Sequence, residues 1–114
     1  MAINVITRIA GQGMYRALTT FLDGVAGSGE SEAFPTAEYI INVFHVIRNG
    51  AATGSVLVQS SMDGTNWVTL TTINVANGNA EYAQDQRCYP FMRVTYTTIA
   101  GGTISVRGSH AGGI

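Results

Sequence analysis

Residues 55–70 read "SVLVQSSMDGTNWVTL" and carry the clearest structural signal in the chain. The pair Asp63-Gly64 can adopt the positive φ angles of a tight turn, since glycine enters that region at no steric cost. Before the turn, residues alternate as they do in a strand with one buried face. Val56, Val58 and Ser60 are predicted to face one side, and Leu57, Gln59 and Ser61 the other. The stretch therefore predicts two antiparallel strands joined by a turn.

Three further pairs of turn-forming residues divide the chain: Asn49-Gly50, Asn77-Gly78 and Gly101-Gly102. The runs between them are rich in Val, Ile, Thr, Tyr and Phe and suit strands better than helices. We predict strands at about residues 38–48, 55–61, 66–75, 80–83, 91–99 and 103–108, with a tight hairpin at each pair. A sheet with one apolar face must bury it, and a second sheet is the simplest partner. The predicted fold class is all-β, an antiparallel β-sandwich of jelly-roll type.

The two faces of individual strands differ along the chain. In "GTISVRGS", Ile104 and Val106 oppose polar neighbours, which indicates one apolar face. In "YIINVFHVIR", residues 39–48, apolar side chains occur on both faces. That segment is predicted to be a central strand or to lie under another chain.

The first thirty residues differ from the rest, and we predict an N-terminal arm at residues 1–30 followed by the sandwich domain at 31–114. "MYRALTTFL", residues 14–22, fits a short helix or an extended arm, and periodicity leaves both open. "GVAGSGESEAF", residues 24–34, is predicted to be a loop or hinge. Apolar arm residues outside the sandwich need another surface to lie on, which favours assembly.

The composition is poor in charge. Charged residues make up 11% of the 114 residues, against roughly 25% in ordinary globular proteins. All six positive side chains are arginines, and lysine is absent. Because interfaces favour Arg and disfavour Lys, this surface suggests a chain covered by neighbours, most simply in a homo-oligomer. Codon bias or chance is the alternative.

Charge and hydropathy also exclude several functions. A net charge of −1 offers no cationic patch for phosphate backbones, so we expect no nucleic-acid partner. The N-terminus has neither a basic segment followed by a long apolar run nor a membrane span, so we expect a protein made in the cytoplasm without a membrane partner. Cys88 is the only cysteine, which excludes an internal disulfide.

Catalytic and metal-binding patterns are missing. His45 lies in the most apolar strand and is interpreted as a core or interface residue, whereas His110 lies in the flexible-looking segment "GSHAGGI". The loop at Asp63 supplies one carboxylate, too few for calcium, and Glu81 with Asp85 gives at most a weak site. No Gly-x-Ser-x-Gly turn occurs. We expect no enzymatic activity, no cofactor and no metal.

Trp67, the only tryptophan, allows two interpretations. An exposed indole beside a turn can stack on a sugar ring. If Val68 and Leu70 face the core, however, Trp67 faces outward or caps the sandwich edge, and it gains stability by covering apolar atoms. The structural interpretation is favoured.

The residues quoted carry a resemblance to known proteins. "VLVQSSMDGTNWVTL" resembles the Ser-x-Asp-Gly-x-x-Trp hairpin of discoidin-like (coagulation factor 5/8 type C) domains. Together with "YPFMRVTYTTIAGGTISVRGS", residues 89–109, it is similar to small virion proteins of tailed bacteriophages. That resemblance implies a β-sandwich that decorates or cements a capsid, often as a trimer, or is appended to the tail. The paired cysteines of many secreted discoidin-like domains are absent.

Two functions follow as expectations. The first is a virion structural protein that binds the major capsid protein at the outer capsid surface and stabilises the shell. Its expected contact residues are Met14, Tyr15, Arg16, Phe21, Leu22, Arg48 and Arg107. The second is a glycan-binding module of a phage tail or fibre. Its expected site residues are Asn66, Trp67 and Tyr82.

Overall fold

The computed structural model describes residues 3–9, 14–85 and 89–113. Their strands are β1 (Ile3–Ile9), β2 (Met14–Glu30), β3 (Phe34–Pro35), β4 (Ile41–Ser61), β5 (Val68–Asn74), β6 (Ala80–Asp85) and β7 (Phe91–Gly113). One 3-10 helix, Val75–Asn77, lies between β5 and β6. The predicted all-β, antiparallel sandwich is confirmed.

Every strand pair is antiparallel, and the order is β1-β2-β7-β4-β5, with β3 on β7 and β6 on β4. β4 and β7 are long and pair with each other from Ile41 opposite Ala111 to Ser61 opposite Phe91. Residues 41–46 of β4 lie between β6 and β7, and residues 55–60 lie between β5 and β7. We call these parts of the sheet the first half and the second half.

The two halves meet where glycines face each other across β4 and β7, and here the sequence prediction was wrong. Gly50 and Gly101 have the expected positive φ of 70° and 81°, but neither pair of residues reverses the chain. Gly50 instead lies opposite Gly102 inside continuous strands, and the register shifts just beyond. A Cβ on Gly101 would lie 2.7 Å from the Ala51 carbonyl oxygen, so only glycine permits this approach. The four predicted strands on either side merge into two bent ones.

The same face of each long strand is buried in both halves. Along β4 the buried side chains include Phe44 and Val46 in the first half and Val56 and Val58 in the second. These residues belong to a single hydrophobic cluster, so the sheet curls around one core. The predicted faces of residues 55–61 are confirmed, and "YIINVFHVIR" supplies the start of a central strand between β6 and β7.

Residues 14–30 form part of the sheet. β2 pairs with β7 from Met14 opposite Gly113 to Glu30 opposite Thr95, with several register shifts. Of the two alternatives left open for residues 14–22, a short helix and an extended arm, the structure shows extended chain. The loop or hinge expected at residues 24–34 was wrong as far as Glu30, because pairing with β7 overrides the weak local preference. Phe21 is buried and packs at 5.2 Å between ring centroids on Phe44.

Candidate functional site

His110, expected in a flexible segment, is fully buried in β7. Its Nδ1 lies 2.7 Å from Asn42 Oδ1, and its Nε2 lies 3.0 Å from Thr19 Oγ1. Asn42 Nδ2 donates to Gln84 Oε1 at 3.1 Å, so Asn42 Oδ1 is the acceptor for an Nδ1–H of the ring. The neutral ring then accepts at Nε2 from the Thr19 hydroxyl. Each of these polar groups has a hydrogen-bond partner, and this series of hydrogen bonds links β2, β7, β4 and β6.

Aromatic rings complete the surroundings of His110. Phe34 lies 4.4 Å from it between ring centroids, and Phe21, Tyr39 and Phe44 lie within 6.0 Å. Burial lowers the pKa of His110 to about 4, because a charged ring would lose its hydration here. The imidazole has no access to a substrate, so its role is structural.

Of the two alternatives given for His45, core or interface residue, the core position was wrong, because the side chain is exposed on the outer face of β4. Its Nε2 lies 2.8 Å from Glu81 Oε1. Glu81 is therefore engaged with a histidine, and the side chain of Asp85 lies outside the described part of the chain. Within the described part, no three His, Cys, Asp or Glu side chains are grouped to hold a metal ion.

The loop after β4 confirms the predicted turn at Asp63. Asp63 Oδ1 accepts hydrogen bonds from the backbone N–H groups of Thr65 and Asn66, both at 2.8 Å, and from Ser61 Oγ. Asn66 Nδ2 donates to Asp63 Oδ2 at 2.6 Å. These bonds, that from the Asn66 N–H first, hold the pKa of Asp63 well below its ordinary range. The carboxylate organises its own loop, as the turn interpretation predicts.

Trp67 lies on the outer face of the second half. The guanidinium carbon of Arg93 lies 4.3 Å from the centre of its ring. Arg93 Nε donates to Gln59 Oε1 at 2.9 Å, Gln59 Nε2 donates to Thr69 Oγ1 at 3.1 Å, and Arg93 also pairs with Glu30. This row of polar groups crosses β2, β7, β4 and β5, with the indole beside it.

The structure does not bring the three glycan-site residues together. Tyr82 lies opposite Phe44 and packs toward the core, at 6.3 Å between ring centroids. Trp67 lies on the outside, and the Asn66 amide is bonded to Asp63. Val68 lies opposite the buried Ser60 and so on the inner face, which is the condition under which Trp67 was placed outside, but Val68 is 65% exposed because it lies at the open end of that face.

A cleft opens at that end of the sandwich. It has a volume of about 310 Å³ and lies between the Asp63 loop, the start of β5 and Tyr89. Its lining includes Met62, which is 75% exposed, together with Val68 and Leu70. Ser60, Ser61 and Asn66 add polar groups. We call it the tip cleft.

The residues expected to contact a partner are dispersed. Phe21 and Leu22 lie in the core. Arg16 is exposed on β2. Arg48 donates through Nε to the Ala52 carbonyl at 2.8 Å, and Arg107 donates to the Leu22 carbonyl at 3.1 Å. The side chains of Met14 and Tyr15 lie outside the described part of the chain.

Sequence reasoning missed both the tip cleft and the buried histidine. The exposure of Met62 and Val68 depends on where the inner face ends, which no local pattern reveals. The burial of His110 could have been predicted from strand alternation, because His110 lies an even number of residues after Ile104 and Val106 and so shares their buried face. Among the described residues, no helix is long and apolar enough to cross a membrane.

Comparisons with known proteins identify the fold. No family model matches the chain, and no curated protein matches it significantly. The SPBc2 prophage-derived protein YomS superposes with a TM-score of 0.74 at 12% identity, over 95% of this chain and 99% of that one. The PBSX exported protein XepA superposes with a TM-score of 0.71 at 16% identity, over 91% of this chain but 40% of XepA.

A third structure comes from the Bacillus endospore appendages, which form disulfide-linked pili. It superposes with a TM-score of 0.62 at 14% identity and covers 97% of this chain and 98% of that one. Identities this low establish a shared fold alone. The chain therefore has the β fold found in prophage-derived, exported and appendage proteins.

Proposed function

We propose that this chain is a non-enzymatic structural protein of a bacteriophage particle that binds the outer capsid surface and stabilises the shell. The shared fold with prophage-derived YomS, over nearly the whole of both chains, supports a phage origin. The buried role of His110 and the structural role of Asp63 support a function without catalysis.

The observation that carries the proposal is the exposure of Met62 and Val68 at the tip cleft. Adjacent exposed apolar side chains that line a concave site and are rimmed by polar groups are typical of protein-contact surfaces. The Asp63 loop holds one wall of the cleft in place through its hydrogen bonds, so little conformational entropy is lost on binding. An apolar side chain of the major capsid protein would fill the cleft, and the symmetry of the shell would repeat this contact.

Co-sedimentation with purified particles of the phage that encodes the chain tests the proposal. The double variant Met62→Ser with Val68→Thr should lose binding at least about tenfold, because it removes the apolar anchors without touching the core. Ala76→Ser, an exposed change in the 3-10 helix, should bind as the unchanged protein does. Failure of the unchanged protein to co-sediment would refute the capsid role.

A glycan-binding role is the second candidate, and it is supported by the partly exposed Trp67 beside Gln59, Thr69 and Arg93. An aromatic ring with planar hydrogen-bonding groups suits a sugar, although the Arg93 guanidinium covers one face of the indole. A glycan array followed by calorimetry with Trp67→Ala tests it. Loss of binding by a folded variant would support the role, whereas an unchanged protein that binds no glycan would refute it.

A further inference from the structure

The outer face of the first half carries a row of side chains that alternates small and large residues. Strand registers align Leu18 on β2 with Ser109 on β7, Val43 on β4 and Ala83 on β6. All four lie between inward-facing neighbours, so they share the outer face. Leu18 is 43% exposed, and with Val43 it gives this row two apolar side chains on the outer face.

The next row repeats the alternation. Ala111 on β7 lies beside Ile41 on β4, which is 39% exposed. A two-fold axis parallel to the strands, between β7 and β4, places β7 of one copy over β4 of the other. Ala111 then faces Ile41 of the second copy, Ser109 faces Val43 and Leu18 faces Ala83. In these two rows each large side chain meets a small one, which allows close packing of the two sheets.

We propose that this chain forms a two-fold symmetric dimer by packing the outer faces of its first halves against each other. The surface is self-complementary in size, which is the condition for a contact between identical patches. This inference is independent of the proposed capsid role, because the tip cleft lies at the end of the second half.

Charges on the same face also fit a second copy. His45 is paired with Glu81, and Arg107 lies 3.4 Å from Asp23, so the patch holds no cluster of like charge. Under the same axis Arg107 lies over His45 of the second copy and next to its Glu81. Arg16 of each copy lies on β2, the strand beyond β7, and stays far from its equivalent. No buried repulsion opposes the contact.

The size of the face sets the expected strength. Four strands spaced about 4.8 Å apart, over about seven residues of about 3.3 Å, project roughly 450 Å² per copy. A standard interface buries about 800 Å² of accessible surface per partner, so this contact belongs to the smaller class. We therefore expect a dimer that dissociates on dilution.

Sedimentation equilibrium over a hundredfold range of concentration tests the proposal with the complete chain. The mass should rise from 12.0 kDa toward twice that value. Ala83→Arg, which places a charge against Leu18 of the second copy, should raise the dimer dissociation constant at least tenfold. The matched control Ala76→Arg, also exposed but away from this face, should leave the constant unchanged, and circular dichroism confirms folding of both.

Cross-linking tests the geometry in a Cys88→Ser background. A mixture of Val43→Cys and Ser109→Cys chains should form a disulfide-linked heterodimer faster than either variant alone forms a homodimer. A monomer at every concentration, a trimer, or equal dimerisation by Ala83→Arg and the unchanged chain would overturn the proposal.

Discussion

Replacing His110 with glutamine should remove a pH dependence that the buried ring gives to the stability of the fold. Burial lowers the pKa of His110 from 6.5 to about 4. Between these values the unfolded chain binds a proton that the folded chain does not. The contribution of the neutral His110 ring to the free energy of unfolding is therefore fully present above pH 6.5, and it is lost as the pH falls toward 4. At about 1.4 kcal/mol per pKa unit, the loss amounts to about 3 kcal/mol.

Urea unfolding followed by Trp67 fluorescence measures this loss at several pH values from 7 to 4. His110→Gln is less stable at pH 7, because the ring packs on Phe34 and bonds to Asn42, but its free energy of unfolding should fall less in acid. The difference in free energy of unfolding between the unchanged protein and His110→Gln should therefore narrow by about 3 kcal/mol from pH 7 to pH 4. His45→Gln, at the exposed histidine, should keep the acid-dependent decline. A gap that stays constant from pH 7 to pH 4 would refute the assignment of His110 as a buried neutral ring.

Three further changes probe the bend, the loop and the outer face. Gly102→Ala should lower the free energy of unfolding by about 2 kcal/mol in urea titrations, because its Cβ would press on the backbone of the facing strand. Asp63→Asn should lower the melting temperature at pH 7, and because the pKa of Asp63 is depressed, the difference should persist at pH 4 and vanish only in stronger acid. Arg93→Met should change the emission maximum of Trp67 by uncovering the indole, whereas Arg16→Met should leave it unchanged.

The sequence predicted well which side chains of a strand are buried. Successive side chains of a strand point to opposite faces, so the alternation of apolar and polar residues identifies the buried face. Val56 and Val58 are buried, and Leu57 and Gln59 lie on the other face. The Asp63 turn was equally predictable, since the aspartate and the Asn66 backbone form a closed local unit. Asn77 ends the 3-10 helix and Gly78 caps it, but the hairpin predicted at this pair was wrong, because β5 and β6 pair with different parts of β4 and not with each other.

The errors arose where distant strands decide the outcome. Gly50 and Gly102 have the chemistry of a hairpin turn, but they lie opposite each other on different strands and bend the sheet. His110 follows small polar residues, yet β2 and β4 bury it from both sides. The site residues Trp67 and Tyr82 were grouped by residue type, whereas the pleat places them on opposite faces. Long-range register is the information that a single sequence lacks.

The position of β7 has a consequence for biosynthesis. This strand pairs with β2, β3 and β4, and Thr20 meets Arg107 across almost the whole length of the chain. In a nascent polypeptide that ends before residue 91, β1 can pair with β2, and β5 and β6 can pair with β4, but no strand joins β2 to β4. Such distant pairing slows folding and leaves apolar strands uncovered while translation continues. β7 must leave the ribosome before the fold can close, so the residues that precede Phe91 are the part of the chain that needs protection by chaperones during synthesis.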